Sequence, residues 1–472
     1  MKVKSVFASL LFAPFPAAAA LPDGASLSLL WGLPFACILL SIATGPLLLS
    51  NSWHHHFGKI TAFWTLLFLL PFMAVYGWDA GLGIVVHAVV DEYIPFILLL
   101  LALYTVSGGI LVWGSLRASP KLNTLMLAAG TLLASVMGTT GAAMLMIRPL
   151  LRANGHRKYR VHVVVFFIFL VANIGGGLTP LGDPPLFLGF LKGVGFSWTV
   201  SNMLLPVLSA VLILLAVFYA LDSHYFRKEG PQETPPAENH AEGRLKIHGK
   251  RNLLLLAAVV GSVLLSGVWQ PGTGVDILGS RYALQNLVRD ILLLVITLLS
   301  VKFTPKQVRA GNEFGWGPIE EVGKLFLGIF ITIVPVLMIL KAGSQGGLAF
   351  VVSAVHNAAG EPVNAMYFWM TGLLSAFLDN APTYLVFFNL AGGNAQTLMD
   401  GLPHTLLAVS TGSVFMGALT YIGNAPNFMV KAIAEQRKVK MPGFFGYMAW
   451  SFGILVPLFL VQTLVFFVWE LV

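Results

Sequence analysis

The sequence predicts an all-α membrane protein with about ten transmembrane helices in two inverted repeats, each with a re-entrant hairpin and a broken helix. Three observations predict it. Hydrophobic residues make up 57% of the 472 and charged residues only 10%, against about 25% charged in soluble domains. Apolar runs of about 20 residues, the length that crosses a bilayer, recur along the chain. A motif also occurs twice. Residues 176–185 read Gly-Gly-Leu-Thr-Pro-Leu-Gly-Asp-Pro-Pro, and residues 417–426, 241 positions later, read Gly-Ala-Leu-Thr-Tyr-Ile-Gly-Asn-Ala-Pro.

The two copies share Gly176/Gly417, Leu178/Leu419, Thr179/Thr420, Gly182/Gly423 and Pro185/Pro426, and Asp183 corresponds to Asn424. Each copy has a second polar break upstream. The first is Gly138-Thr139-Thr140-Gly141 and the second Asp379-Asn380-Ala381-Pro382; Gly141 to Gly182 and Pro382 to Gly423 are both 41 residues. Interrupted apolar segments at matching places in two halves point to the binding site of a secondary transporter.

Taken in order, residues 1–20 read as a signal peptide, with Lys2 and Lys4 ahead of an apolar run that ends in Ala18-Ala19-Ala20. The first repeat, 21–221, has spans at 27–50, 60–78 and 92–114, a hairpin at 122–152, a broken helix at 160–192 and a span at 199–221. Residues 222–251, with Pro231, Pro235 and Pro236 among mixed charges, read as a cytoplasmic linker. The second repeat, 252–472, has spans at 252–270, 284–301 and 321–341, a hairpin at 362–391, a broken helix at 404–431 and a span at 446–470. Each hairpin arm is too short to cross alone at about 1.5 Å per residue.

Charge sets the orientation. Arg117 and Lys121 precede the first hairpin, and Arg148, Arg152, Arg157, Lys158 and Arg160 follow it. Basic flanks belong in the cytoplasm, so this segment enters and leaves by one face. No Lys or Arg occurs between Lys341 and Lys431, which places both flanks of the second hairpin outside. Five crossings per half then give the halves opposite orientations. The reading is a multi-pass protein of a bacterial inner membrane.

Composition also excludes functions. Cys37 is the one cysteine, so no intrachain disulfide or multi-cysteine metal site forms. The net charge of +8 lies in short connections between apolar runs, as orientation signals do, and implies no nucleic-acid partner. No P-loop, His-Glu-x-x-His or Gly-x-Ser-x-Gly motif is present, so no enzyme activity and no cofactor are expected.

The breaks carry the chemistry. Glycines and prolines there interrupt helices at membrane depth, where unpaired backbone is tolerated only along a polar cavity. Thr139, Thr140, Asn173, Thr179, Asn380, Thr383, Thr420, Asn424 and Asn427 add neutral polar groups. Asp183 and Asp379, one per half, are the acids. An ionised acid at the bilayer centre costs about 3 kcal/mol or more and usually serves an ion or proton path. Each Asp is expected to take either a proton or a small cation such as sodium; the alternative is that each merely caps a helix end. His54-His55-His56 reads as a solvated loop at a span end. His87, His162, His356 and His404 read as structural, and Arg289-Asp290 as a local ion pair.

With these motifs the chain resembles the ion transporter superfamily of NhaD-type sodium/proton antiporters, citrate carriers, dicarboxylate/sodium symporters and arsenite permeases. Asn173 through Pro185 is similar to a broken-helix motif of antiporter-like members, Asp379-Asn380-Ala381-Pro382 to their hairpin tip, and Gly417 through Asn427 to the second broken helix. The resemblance implies a homodimer and a mobile transport domain moving against a scaffold. It implies one ion site of Thr139, Thr140, Asn173, Gly177 and Asp183, and another of Asp379, Asn380, Thr420 and Asn424. The dicarboxylate symporters carry Ser-Asn-Thr at their hairpin tips; Gly-Thr-Thr-Gly and Asp-Asn-Ala-Pro stand here. An acid at the tip repels a bare dicarboxylate, which favours sodium/proton antiport. The alternative is a carrier of citrate or a related organic anion, coupled to sodium, protons or metal. The partners expected are the lipid bilayer and a small inorganic cation or organic anion.

Overall fold

A computed structural model describes residues 22–48, 50–114, 116–230 and 246–470. The signal-peptide reading at 1–20 lies outside the described residues. The protein is an all-α membrane protein. Eight of its described helices are long and apolar enough to cross a membrane, fewer than the ten spans read from the sequence. The first apolar stretch is shorter, Leu29–Gly45, and the broken segment near 404–431 has no single arm of that length.

Helix α1, Leu33–Leu48, packs on α2, Ser50–Tyr76. The next crossing joins α3, Trp78–His87, to α4, Ile94–Ser107, through a π-helical turn at Ala88–Tyr93. It therefore begins well before the predicted 92, because Glu92 is paired with Lys192 and sits buried inside the helix. It also stops earlier than predicted. Gly108-Gly109 ends it, and Leu111–Trp113 forms strand β1, antiparallel to β2 at Lys246–His248.

The first hairpin is α5, Pro120–Met137, and α6, Thr139–Ala153. Ser119 caps α5 by accepting from Leu122 N at 3.2 Å. Between the arms stands Gly138 at φ 80°, a left-handed turn that glycine adopts without strain. The broken segment follows as α7, Val161–Leu170, a 3-10 turn at Ile174–Leu178, and α8, Pro184–Leu191. Long α9, Phe196–Glu229, closes this half. It runs through the first turns of the predicted linker, because Asp222 is buried and bonded to Asn123, His162 and Arg157.

The second half repeats this order. Helix α10, Arg251–Val268, leads to a hairpin of strands β3, Gly274–Ile277, and β4, Ser280–Ala283, and then to α11, Leu284–Phe303. Two helices, α12 at Gly317–Thr332 and α13 at Val334–Lys341, make one crossing. The second hairpin is α14, Asn364–Leu378, and α15, Asn380–Leu390, joined at Asp379. The second broken segment is α16, Pro403–Phe415, a 3-10 turn at Met416–Leu419, and α17, Ala425–Gln436; α18, Phe444–Gln462, ends the fold.

Burial sorts these elements. The most apolar stretch of Val161–Leu178 is 89% buried, whereas those of His55–Tyr76 and Phe196–Glu229 are 17% and 28% buried. The second hairpin arms and the broken segments are thus the core, and the long helices cover them with their outer faces apolar toward lipid. The halves interlock there: α6 packs on α17 and α8 on α15.

Candidate functional site

All four breaks converge on Asp183. Its backbone is extended (φ −141°, ψ 143°) at the start of α8, yet its carboxylate makes no capping bond to that helix. One oxygen accepts from Thr139 Oγ1 at 3.0 Å and from Asn424 Nδ2 at 3.3 Å, and the other from Asn380 Nδ2. Thr139 and Asn380 are the first helical residues after the two hairpin tips, and Asn424 is the counterpart of Asp183 in the second broken segment. One carboxylate, 2% exposed, therefore collects donors from both tips and from the opposite break.

The supporting backbone repeats between the halves. Thr179 Oγ1 donates to Ser135 O, and Thr420 Oγ1 to Ala376 O, each at 2.5 Å across 44 residues. The same hydroxyls accept from Leu181 N and Ile422 N. These threonines tie each broken turn to its own hairpin, so they are spent on the scaffold of the site. Gly176 must stay bare, since a Cβ there would meet Thr139 Cγ2 at 2.6 Å and Asp183 Cβ at 3.0 Å.

Three asparagines lock the broken segments to each other. Asn173 Nδ2 donates to Ile168 O at 2.8 Å and to Asn427 Oδ1 at 2.7 Å. Asn427 Nδ2 donates to Gly417 O at 2.8 Å and Thr420 O at 2.9 Å. Asn424 Nδ2 reaches Ala172 O at 3.1 Å and Asn173 Oδ1 at 3.3 Å besides Asp183. Asn173 and Asn427 are fully buried, and their donors go to protein atoms.

Asp379 differs from Asp183. It stands at φ 76°, a region that non-glycine residues seldom occupy, and caps α15 by accepting from Ala381 N at 3.2 Å. Thr383 Oγ1 donates to Asp379 O at 2.8 Å. The capping alternative thus describes one face of Asp379 and not Asp183.

A cavity of about 1060 Å³ opens onto this centre. Of the sequence-predicted residues, Asp183, Asp379, Thr139, Thr140 and Asn424 line it. Asn380 bonds Asp183, Thr383 bonds Asp379 and Asn173 bonds Asn424, whereas Thr179, Thr420 and Asn427 bond other parts of the hairpins and broken segments, and Gly177 packs against Val207 and Phe415. Asn380 Oδ1 is buried and has no partner among the described residues. Its lining also includes His55, Lys59, Glu320 and Lys324, with the aromatic residues Trp53, Tyr104, Phe187, Phe326 and Tyr421. His54-His55-His56 lies within helix α2, where a loop was expected. No group of three or more His, Cys, Asp or Glu suited to a metal occurs among the described residues.

Most of the wall residues were missed because they come from α2, α4 and α12, whose sequences read only as spans; Phe187 and Tyr421 belong to the broken segments. Lys59 and Lys324 were legible as charges, but nothing local to them marks a cavity.

A protein-family model described as "Putative citrate transport" matches residues 24–467. The chain belongs to that family. It is therefore a membrane transporter, in contact with lipid and a small substrate. None of the curated proteins matches the chain. The family's description favours an organic anion over the bare cation exchange expected from the acidic tip.

Proposed function

We propose that this protein carries citrate or a closely related organic anion across the membrane together with cations, and that Asp183 and Asp379 hold those cations or protons. The observation that supports citrate is the family match over residues 24–467. The site supports the coupling. The cavity lining holds two lysines, Lys59 and Lys324, as well as Asp183 and Asp379.

A polycarboxylate beside two acids needs positive charge between them. At about 4 Å, two like charges repel by about 4 kcal/mol at an effective dielectric of 20. A sodium ion, a proton or a chelated metal removes that cost and makes anion and cation binding mutually dependent. Coupled transport follows if the loaded centre is exposed to one face of the membrane at a time.

Radiolabelled citrate uptake into vesicles containing the purified protein tests this, with sodium, proton and magnesium gradients imposed in turn. Uptake is expected to need at least one of these cations and to saturate with citrate. Absence of citrate uptake under every gradient overturns the reading. Sodium/proton antiport is the second reading, favoured by the acid at the second tip. Its signature is collapse of an imposed pH gradient by sodium or lithium without citrate.

A further inference from the structure

Arg289 is among the largest side chains that the fold buries, at 1% exposure. It lies in the second turn of α11. Its Nε donates to Asp290 Oδ1 at 2.9 Å and one terminal nitrogen to Asn286 Oδ1 at 3.2 Å. The other oxygen of Asp290 accepts from the Tyr282 hydroxyl at 2.5 Å. The remaining terminal nitrogen, Nη2, is buried without a partner among the described residues. So is Gln285 Oε1, one turn earlier on the same face of the helix.

A guanidinium presents five N–H groups in a planar fork. Asp290 and Asn286 engage one side, and the end carrying Nη2 is left over. A buried donor and a buried acceptor, both unmet and one helical turn apart, are costly to keep. They match a ligand that has an anionic acceptor and a donor close together, which is the chemistry of a hydroxycarboxylate.

The position fits a path to the central cavity. The guanidinium carbon lies 5.9 Å from the centroid of Phe187. That ring lines the cavity, and Phe187 follows Asp183 by one turn of α8. Arg289 and Lys302 are 13 residues apart on α11, about 20 Å at 1.5 Å per residue. Lys302 is at the end of α11 from which the chain leads to Gly317, Pro318 and Glu320, which line the cavity. Arg289 thus sits near the opposite end of α11, against a ring that lines the cavity.

We propose that Arg289 and Gln285 form a second recognition point for a hydroxycarboxylate, used when substrate arrives from the membrane face nearer the start of α11. A carboxylate takes the free end of the Arg289 fork, as paired N–H donors favour. The substrate hydroxyl donates to Gln285 Oε1. Phe187 separates this point from the Asp183 centre, and rotation of its ring joins the two. The inference rests on the citrate-carrier reading and adds to it a residue pair that recognises the hydroxyl.

The test uses the full-length protein in vesicles, with citrate and tricarballylate (citrate without its hydroxyl) offered from either face. R289Q/D290N removes both charges and so leaves no buried ion unpaired. It is expected to raise the citrate KM about tenfold or more from one face, with little change from the other. Q285A is expected to raise the KM for citrate about tenfold from that same face and to leave tricarballylate unchanged. Equal effects from both faces, or a Q285A shift that is the same for both substrates, mark a structural role and overturn the proposal. A wild-type protein that moves citrate beside variants with unchanged KM removes this inference alone. A wild-type protein that moves neither substrate removes the carrier reading and this inference with it.

Discussion

Gly138 and Asp379 hold the same backbone conformation, at φ 80°, ψ 151° and φ 76°, ψ 146°. They are 241 residues apart, the spacing that also separates Asp183 from Asn424. Each is the pivot where a hairpin turns back. In the first half the left-handed turn is glycine, and in the second an aspartate accepts it. Such conformations in non-glycine residues cost about 1–3 kcal/mol and cluster where function holds them. Asp379→Asn keeps a capping oxygen and a residue type that tolerates positive φ. It is expected to leave thermal unfolding in detergent within a few degrees of wild type and to abolish cation-coupled uptake. Asp379→Ala loses the cap, worth about 1 kcal/mol, and keeps the backbone strain, so it should unfold earlier than Asp379→Gly. Full uptake by Asp379→Asn would remove the carboxylate from the mechanism.

Asp183 accepts from Thr139, Asn424 and Asn380. Asp183→Asn would turn one of those acceptors into a donor facing donors, leaving at least one buried polar group unmet. The cost is about 1–3 kcal/mol per group. The expected result is a lower unfolding midpoint together with loss of transport. Because both halves of the molecule meet at this side chain, the loss should include binding of the coupling cation, read by isothermal titration with sodium. Wild-type cation affinity in Asp183→Asn would show that the carboxylate does not hold the ion.

The broken segments and hairpins were legible because proline, glycine and polar residues inside apolar runs have no other physical reading at membrane depth. The 241-residue repeat even located Gly138 and Asp379 as partners, though only coordinates show their shared φ. The division of labour at the site was not legible. Thr179 and Thr420 look like ligands in sequence and serve as ties to Ser135 O and Ala376 O. Asp222 looked like linker and is fully buried, because its partners Arg157 and His162 lie some 60 residues away. Long-range partners of polar residues leave no local periodicity to read.

Asn427 ties three points of the broken segments together through one side chain, with bonds to Asn173, Gly417 O and Thr420 O. Asn427→Ala strips all three and leaves the Asn173 amide short of an acceptor. A loss of about 2–4 kcal/mol is expected, as one or two buried groups go unmet. Asn427→Asp should fare no better, since an acid cannot donate to the two carbonyls. The measurement is the detergent unfolding midpoint alongside the citrate KM. An unchanged midpoint in Asn427→Ala would mean that the two broken segments are held together by packing alone.

Glu313 bridges elements on the loop ahead of α12. Its oxygens accept from Arg148 of the first hairpin at 3.1 Å and from Arg437 beyond α17 at 3.4 Å. Partial burial pushes its carboxyl up, but the bonds and charges of Arg148 and Arg437 outweigh this and hold it below the usual 4.5. A carboxyl lowered in the folded state stabilises it fully above its unfolded value, and that contribution fades as pH falls through the lower folded value. The side chain is 49% exposed, so screening keeps the effect near or below about 1 kcal/mol. Glu313→Gln is therefore expected to lower the unfolding midpoint slightly at pH 7 in low salt. The difference from wild type should shrink below about pH 4 and in high salt, where the ions of the medium screen the pair. A deficit in Glu313→Gln that is the same at pH 3 and pH 7 would assign the effect to packing and remove the ion pairs as its cause.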